Sequence, residues 1–235
     1  MRISKLVVGI CVLVLCGVTA VVASAAPLGG LSYNIGSNGF AFSAGPGVGF
    51  VQRDVHVLEN ERAVDEASSS RLLLKADVAP VYFLDVYGII GMADYQLDDA
   101  DFRGSLAPAY GGGGRLMLLP YGLKTDLNLS LDAQYLGYRT EDHHVKARID
   151  ETQIALVLAY KLHGLVPYGG VKYNPVKTQF AGDDNDLLND QEYGIFLGID
   201  YFVTPNVFFS GELSIFSETS FFAMVGYNFP SIHSR

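Results

Sequence analysis

From Lys124 to Gly137 the chain reads KTDLNLSLDAQYLG and alternates without a break. Asp126, Asn128, Ser130, Asp132 and Gln134 fall on one side, and Leu127, Leu129, Leu131, Ala133 and Tyr135 on the other. Successive side chains of a strand point to opposite faces, so the segment has one polar and one apolar wall. Similar segments recur almost to the last residue. They predict ten strands, at roughly 39–51, 69–79, 84–96, 108–119, 123–138, 151–162, 166–178, 191–203, 206–216 and 219–229. Eight strands is the alternative, because the first segment is rich in glycine.

The connections alternate in length. LENERAVDEASSS, LDDADFRGSLAP, RTEDHHVKAR and FAGDDNDLLND are long and polar, whereas the chain turns quickly around Pro80, Pro120, Pro167 and Pro205. Short turns at one end and long loops at the other are the habit of transmembrane barrels. The expected fold is therefore all-β: an antiparallel up-and-down transmembrane β-barrel, apolar outside and polar inside. An even strand count puts both termini on the periplasmic side. Tyr82, Tyr121, Tyr160, Tyr168, Tyr201 and Phe229 fall near the short turns, and Tyr95, Tyr110, Tyr138, Tyr193 and Phe221 near the long loops. Two aromatic girdles at the membrane–water boundaries are expected from them.

The beginning of the chain supplies the compartment. Arg2 and Lys5 precede an apolar run, Leu6 to Ala23, and Ala23-Ser24-Ala25 follows with small residues suited to a signal peptidase. This reads as a signal peptide over 1–25, cut before Ala26, with a barrel domain over 26–235. An uncleaved anchor is the competing reading. A lipoprotein site at Cys16 is disfavoured by Leu15, where a small residue is wanted. Both cysteines, Cys11 and Cys16, would leave with the signal, and no thiolate site or disulfide would remain. The 16 basic and 25 acidic residues of the whole chain become 14 and 25, a formal charge of −11. That balance repels phosphate backbones and argues against nucleic acid as a partner.

Several strands carry charge near mid-span. Alternation assigns Lys75, Asp77, Arg115, Asp126, Asp132, Lys172, Asp200 and Glu212 to the lumen, as a network in which opposite charges pair. Facing lipid at mid-depth, a basic side chain would cost about 2–4 kcal/mol. Lys75, Arg115 and Lys172 are the cations expected to face Glu212. Gly45, Gly47 and Gly49, and Gly111 to Gly114, leave inner space for bulky neighbours or a water path, or simply bend the wall.

The C-terminal segment Gly198 to Phe229 resembles the last hairpins of small bacterial outer-membrane barrels. Its ending, Val225-Gly226-Tyr227-Asn228-Phe229, is similar to the Gly-Tyr-x-Phe closing strand of OmpA/OmpX-type proteins. The resemblance implies a bacterial outer-membrane location. It also implies that Gly226, Tyr227 and Phe229 form the signal read by the barrel-assembly machinery. The chain departs from many such proteins in continuing past the aromatic end, through Pro230 to Arg235.

Candidate chemistry is sparse. Asp99-Ala100-Asp101 and Asp142-His143-His144 lie in two long loops. Omptin proteases, also ten-stranded barrels, activate a water with an Asp-x-Asp and an Asp-x-His pair at the outer rim, and carboxylate-oriented histidine is sound general-base chemistry. The chain is short for an omptin and shows no wider resemblance to one. Asp183-Asp184-Asn185-Asp186 with Asp190 offers oxygen ligands but lacks the glycine and distal glutamate of an EF-hand loop, so no metal is expected there. His163 has no evident partner, no phosphate-cradling loop is present, and no cofactor is expected. The expectation is a non-enzymatic, monomeric barrel, structural or porin-like, passing water or small solutes, with outer-membrane lipid around it. The rivals are an outer-membrane enzyme, protease or lipid-modifying, and an adhesin acting through acidic loops.

Overall fold

The computed structural model describes residues 41–57, 60–98, 101–119, 126–181 and 186–229. The proposed signal peptide, both cysteines, Asp99, Pro120, Tyr121, Asp183 to Asn185 and Pro230 to Arg235 lie outside the described residues. Twelve strand segments form one antiparallel sheet. They are β1 (Ala41–Val57), β2 (Asn60–Val81), β3 (Leu84–Leu97), β4 (Phe102–Leu119), β5 (Leu127–Asp142) and β6 (Val145–Tyr160), then β7 (Leu165–Tyr173), β8 (Val176–Phe180), β9 (Asp186–Asn189), β10 (Tyr193–Phe202), β11 (Val207–Ile215) and β12 (Thr219–Phe229). β12 closes onto β1, with Phe42 opposite Phe229, so both ends of the described barrel lie together.

β7 and β8 are two halves of one barrel strand, since both pair with β6. They are interrupted at Asn174 and Pro175; proline has no N–H to give a ladder. The Asn189 side chain repairs the break. It accepts from the Val176 N–H at 2.9 Å and donates to the carbonyls of Asn174 (2.9 Å) and Gln191 (2.8 Å). β9 and β10 are likewise two halves of one strand. Ten strands therefore surround the barrel at the end carrying Phe42 and Phe229.

The other end is narrower. The β11–β12 hairpin turns early, at Phe216 to Glu218, and does not reach the far rim. Above it β9 pairs directly with β1, Val55 opposite Asn189, and the Asp190 N–H bonds the Asp54 carbonyl at 2.9 Å. The ring there runs through β1, β2, β3, β4, β5, β6, β8 and β9. An eight-strand ring has an interior just wide enough for side chains to fill.

Faces follow the alternation. Asn128, Ser130, Asp132 and Gln134 are buried, while Leu131 and Tyr135 are exposed. Leu72, Leu74, Ile90, Leu118, Leu156, Leu197 and Leu213 make an exposed apolar belt, although they stand on different strands. The interior is less polar than expected. Leu73, Ile89, Leu136, Tyr138, Phe222 and Met224 form an apolar cluster within it. Rings also occupy the glycine spaces: Phe222 lies across Gly47 and Gly49, and Tyr87 across Gly113, where any Cβ would collide with them.

Two further expectations are corrected. Much of the supposed long loops is strand: β1 and β2 continue through the first, β5 and β6 through the third, with His143 and His144 at positive φ in a tight turn. Hydrogen-bonded pairing does not stop where hydrocarbon stops, so polar sequence continues the ladder beyond the membrane. Among the aromatics, Tyr82, Tyr160, Tyr201 and Phe229 are exposed at one end and Tyr110 and Tyr193 at the other. Phe221 is half-buried. Tyr95, Tyr138 and Tyr168 instead point inward, where their hydroxyls find polar partners.

Candidate functional site: a ladder of charge across the lumen

β2 places every second residue from Ala67 to Ala79 inside, which puts Arg71, Lys75 and Asp77 in one buried column. The same parity places Arg115 on β4, Asp132 on β5, Glu151 on β6 and Lys172 on β7 inside. Arg53 enters from β1 and Glu218 from the early turn of the last hairpin, both buried.

These residues form two groups. In the larger, charges alternate along a chain. Arg71 binds Glu151 through both terminal nitrogens, at 3.0 and 2.5 Å. Arg53 lies 3.5 Å from Glu151 and 3.1 Å from Glu218. Lys172 meets Glu218 at 2.6 Å, and the Asn174 amide donates to its other oxygen at 3.0 Å. In the eight-strand ring β2 and β6 are on opposite sides and β1 and β6 nearly so, and Arg71 and Arg53 therefore meet Glu151 across the lumen rather than along a wall. Three cations and two carboxylates thus bridge the barrel. Fork-shaped guanidinium groups suit such multiple contacts.

The second group lies nearer the end carrying Phe42 and Phe229. Arg115 pairs with Asp132 at 3.1 Å, and the Tyr87 hydroxyl donates to Asp132 at 2.7 Å. Lys75 sits 4.0 Å from Asp77 and 4.0 Å from the centre of the Tyr87 ring, a cation–π approach. Asp85, directly opposite Arg115, is fully buried beside them. On the far wall the Tyr168 hydroxyl donates to Glu212 at 3.1 Å, with Asp200 buried on the same strand pair. Above the larger group, Tyr95, Phe102 and Phe180 pack as an aromatic layer, Phe102 and Phe180 edge to face at 5.2 Å.

Of the eight residues assigned to the lumen, seven are buried there: Lys75, Asp77, Arg115, Asp132, Lys172, Asp200 and Glu212. Asp126 is not. It is exposed at the turn before β5, where its carbonyl accepts the Lys161 N–H at 2.8 Å. Lys172 goes to Glu218 and not to Glu212, because the short hairpin brings the Glu218 carboxylate to it. Sequence reasoning missed Arg53, Arg71, Asp85, Glu151 and Glu218. The parity of Lys75 extends to Arg71, and that of Ala155 to Glu151; Glu218 lies in a turn and carries no parity.

The rim residues are otherwise engaged. Asp142 accepts the Arg103 backbone N–H at 2.9 Å and contacts the His143 ring at 2.5 Å. Its carboxyl is held below the usual range, first by the Arg103 N–H and then by His143. Asp101 pairs with Arg103 at 3.6 Å. Asp186 is lowered by hydrogen bonds from Lys177 and then Gln179, and Asp190 lies 3.8 Å from His56. Gly226 and Tyr227 lie in β12, which Phe229 ends, where Tyr227 and Phe229 pack edge to face at 4.9 Å.

A closed antiparallel barrel with an apolar belt and charges turned inward defines a membrane-spanning β-barrel protein. The sequence over residues 76–229, more than half of the chain, matches the model of the outer membrane protein beta-barrel domain, and the chain belongs to that family. The family places it in the bacterial outer membrane. No curated protein sequence matches it. Among solved structures it is similar to the translocator domain of the autotransporter NalP from Neisseria meningitidis. That match has 10% identity and a TM-score of 0.49, and covers 85% of this chain and 90% of that one. It is also similar to the outer membrane protein OprG from Pseudomonas aeruginosa, with 11% identity and a TM-score of 0.39 over 84% of this chain and 99% of that one.

Proposed function

We propose that the protein is a non-enzymatic, structural barrel of the outer membrane whose resting lumen is closed by its own side chains. Water or small solutes pass only when the inner ion pairs part. The observation that carries this reading is the contact of Arg53 and Arg71 with Glu151 from opposite or nearly opposite walls. A standing aqueous channel needs an unbridged axis, and a ladder of paired charges with an aromatic layer above it supports a closed one.

The same reading sets aside a rim protease. Asp142 is already bound to a backbone N–H and to the neighbouring His143, and Asp101 to Arg103. The test is solute permeation. Purified protein refolded into liposomes should admit sugars of monosaccharide size no faster than empty liposomes do. Rapid swelling at the rate of an open porin would refute the closed lumen, and peptide cleavage lost on His144→Ala would favour the enzyme instead.

A further inference from the structure

The outer surface carries a second concentration of charge, of the opposite kind to the chain as a whole. A cleft of about 500 Å³ opens at the far rim between the β5–β6 hairpin and β8, lined by Arg139, Glu141, Lys146, Arg148, Gln179 and Ala181 among others. The chain is acidic, at −9, yet three cations gather here. Arg139 and Arg148 are directly opposite one another on paired strands. Like charges in that position are destabilising. Lys146 is matched by Glu141 at 3.7 Å and Arg148 by Asp150 at 2.7 Å. Arg139 has no anionic partner among the described residues.

The height of the cleft says what kind of anion fits. Tyr110 and Tyr135 are exposed on the same outer face, and the Tyr135 hydroxyl bonds Asp150. Gly137, opposite Tyr110, is the next outward position after Tyr135, and Arg139 the next again. Aromatic residues mark the boundary of the hydrocarbon. Two residues of strand are about 7 Å, so the arginines stand just above the Tyr110 level, over the apolar wall of Leu131, Ile154 and Leu156. An anionic headgroup joined to acyl chains that run down that wall fits both features.

We infer that Arg139 and Arg148, with Lys146, bind the phosphate of an outer-leaflet glycolipid. The fork of Arg139 and the remaining Nη1 of Arg148, whose Nε and Nη2 hold Asp150, grip the phosphate oxygens, and the anion relieves the repulsion between the two arginines. The lipid's acyl chains lie along the exposed leucine and isoleucine belt.

The probe is phosphatidylcholine nanodiscs doped with diphosphoryl lipid A, holding the full-length protein, with retained lipid counted by native mass spectrometry. Wild type should retain lipid A over phosphatidylcholine. Arg139→Gln with Arg148→Gln should weaken retention by about tenfold, the scale of one charge-assisted hydrogen bond. Arg103→Gln, which removes an exposed cation beside the same hairpin but outside the lining of the cleft, should leave it unchanged. Millimolar inorganic phosphate should not displace the lipid. Unchanged retention in the double variant overturns the proposal. So does an equal loss in Arg103→Gln, which would mean diffuse attraction, or displacement by inorganic phosphate, which would mean a soluble ion's site. If the double variant does not fold, Arg139→Gln alone decides, since its side chain is exposed and holds no described partner.

Discussion

Glu218 shows how much one side chain can carry when its surroundings are dry. It serves Lys172, Arg53 and Asn174 from a turn of the last hairpin. Removing one partner of a buried ion pair strands the others, and Glu218→Ala should destabilise the folded barrel by about 3–5 kcal/mol. Glu141 faces solvent beside Lys146, and Glu141→Ala should change stability by no more than about 1 kcal/mol. Urea titrations of both variants in detergent, followed by far-ultraviolet circular dichroism, compare them directly; similar midpoints would mean that the Glu218 site is hydrated. Asp142 makes a second residue-scale case. Its folded pKa lies below its unfolded one, so its contribution is present above the unfolded pKa and is lost as pH falls through the folded value. Protection of the Arg103 amide, its exchange relative to the intrinsic rate at each pH, should therefore fall only in acid below the ordinary carboxylate range. Protection that is unchanged through that range would show that the carboxylate does not hold this N–H.

At the scale of strands, the alternation in β5 was readable because one face meets lipid and the other does not. Asn128, Ser130, Asp132 and Gln134 went inside as the pattern required. What the pattern did not reveal was length, since β5 and β6 run on to Asp142 and from Val145 with polar residues on both faces. Nor did it separate girdle from lumen for Tyr95, Tyr138 and Tyr168: an aromatic near a strand end suits either place, and parity alone decides. Depth can be tested through the same faces. Leu131, exposed and opposite Leu116 and Leu156, lies well inside the apolar belt. Val81, also exposed, adjoins the Tyr82 turn. Leu131→Arg should therefore cost about 2–4 kcal/mol and Val81→Arg about 0–1 kcal/mol. Folding yields in liposomes, read by heat-modifiable gel mobility, would count against this placement of the wall if the two variants matched.

Across the whole molecule, the change from a ten-strand ring to an eight-strand ring was hidden from the sequence. It depends on β9 reaching β1 over the top of a short hairpin, a pairing between distant segments that no local pattern records. That narrowing brings Arg53, Glu151 and Glu218 within bonding distance, so closure is a property of the assembled barrel. It also makes the sign of the lumen adjustable. Glu151→Ala with Glu218→Ala leaves Arg53, Arg71 and Lys172 facing one another without carboxylates; repulsion and water should part them. Arg53→Ala with Arg71→Ala leaves Glu151 and Glu218 against Lys172 alone. Fixed charges around a constriction select the opposite ion. In planar bilayers the wild type should be nearly silent, the first variant should open with a preference for anions, and the second with a preference for cations. General loosening of the barrel cannot reverse selectivity between two variants of equal instability, so the reversal isolates the ladder. Openings of the same selectivity in both, or steady wild-type conductance, would mean that ions travel by a route these five side chains do not line.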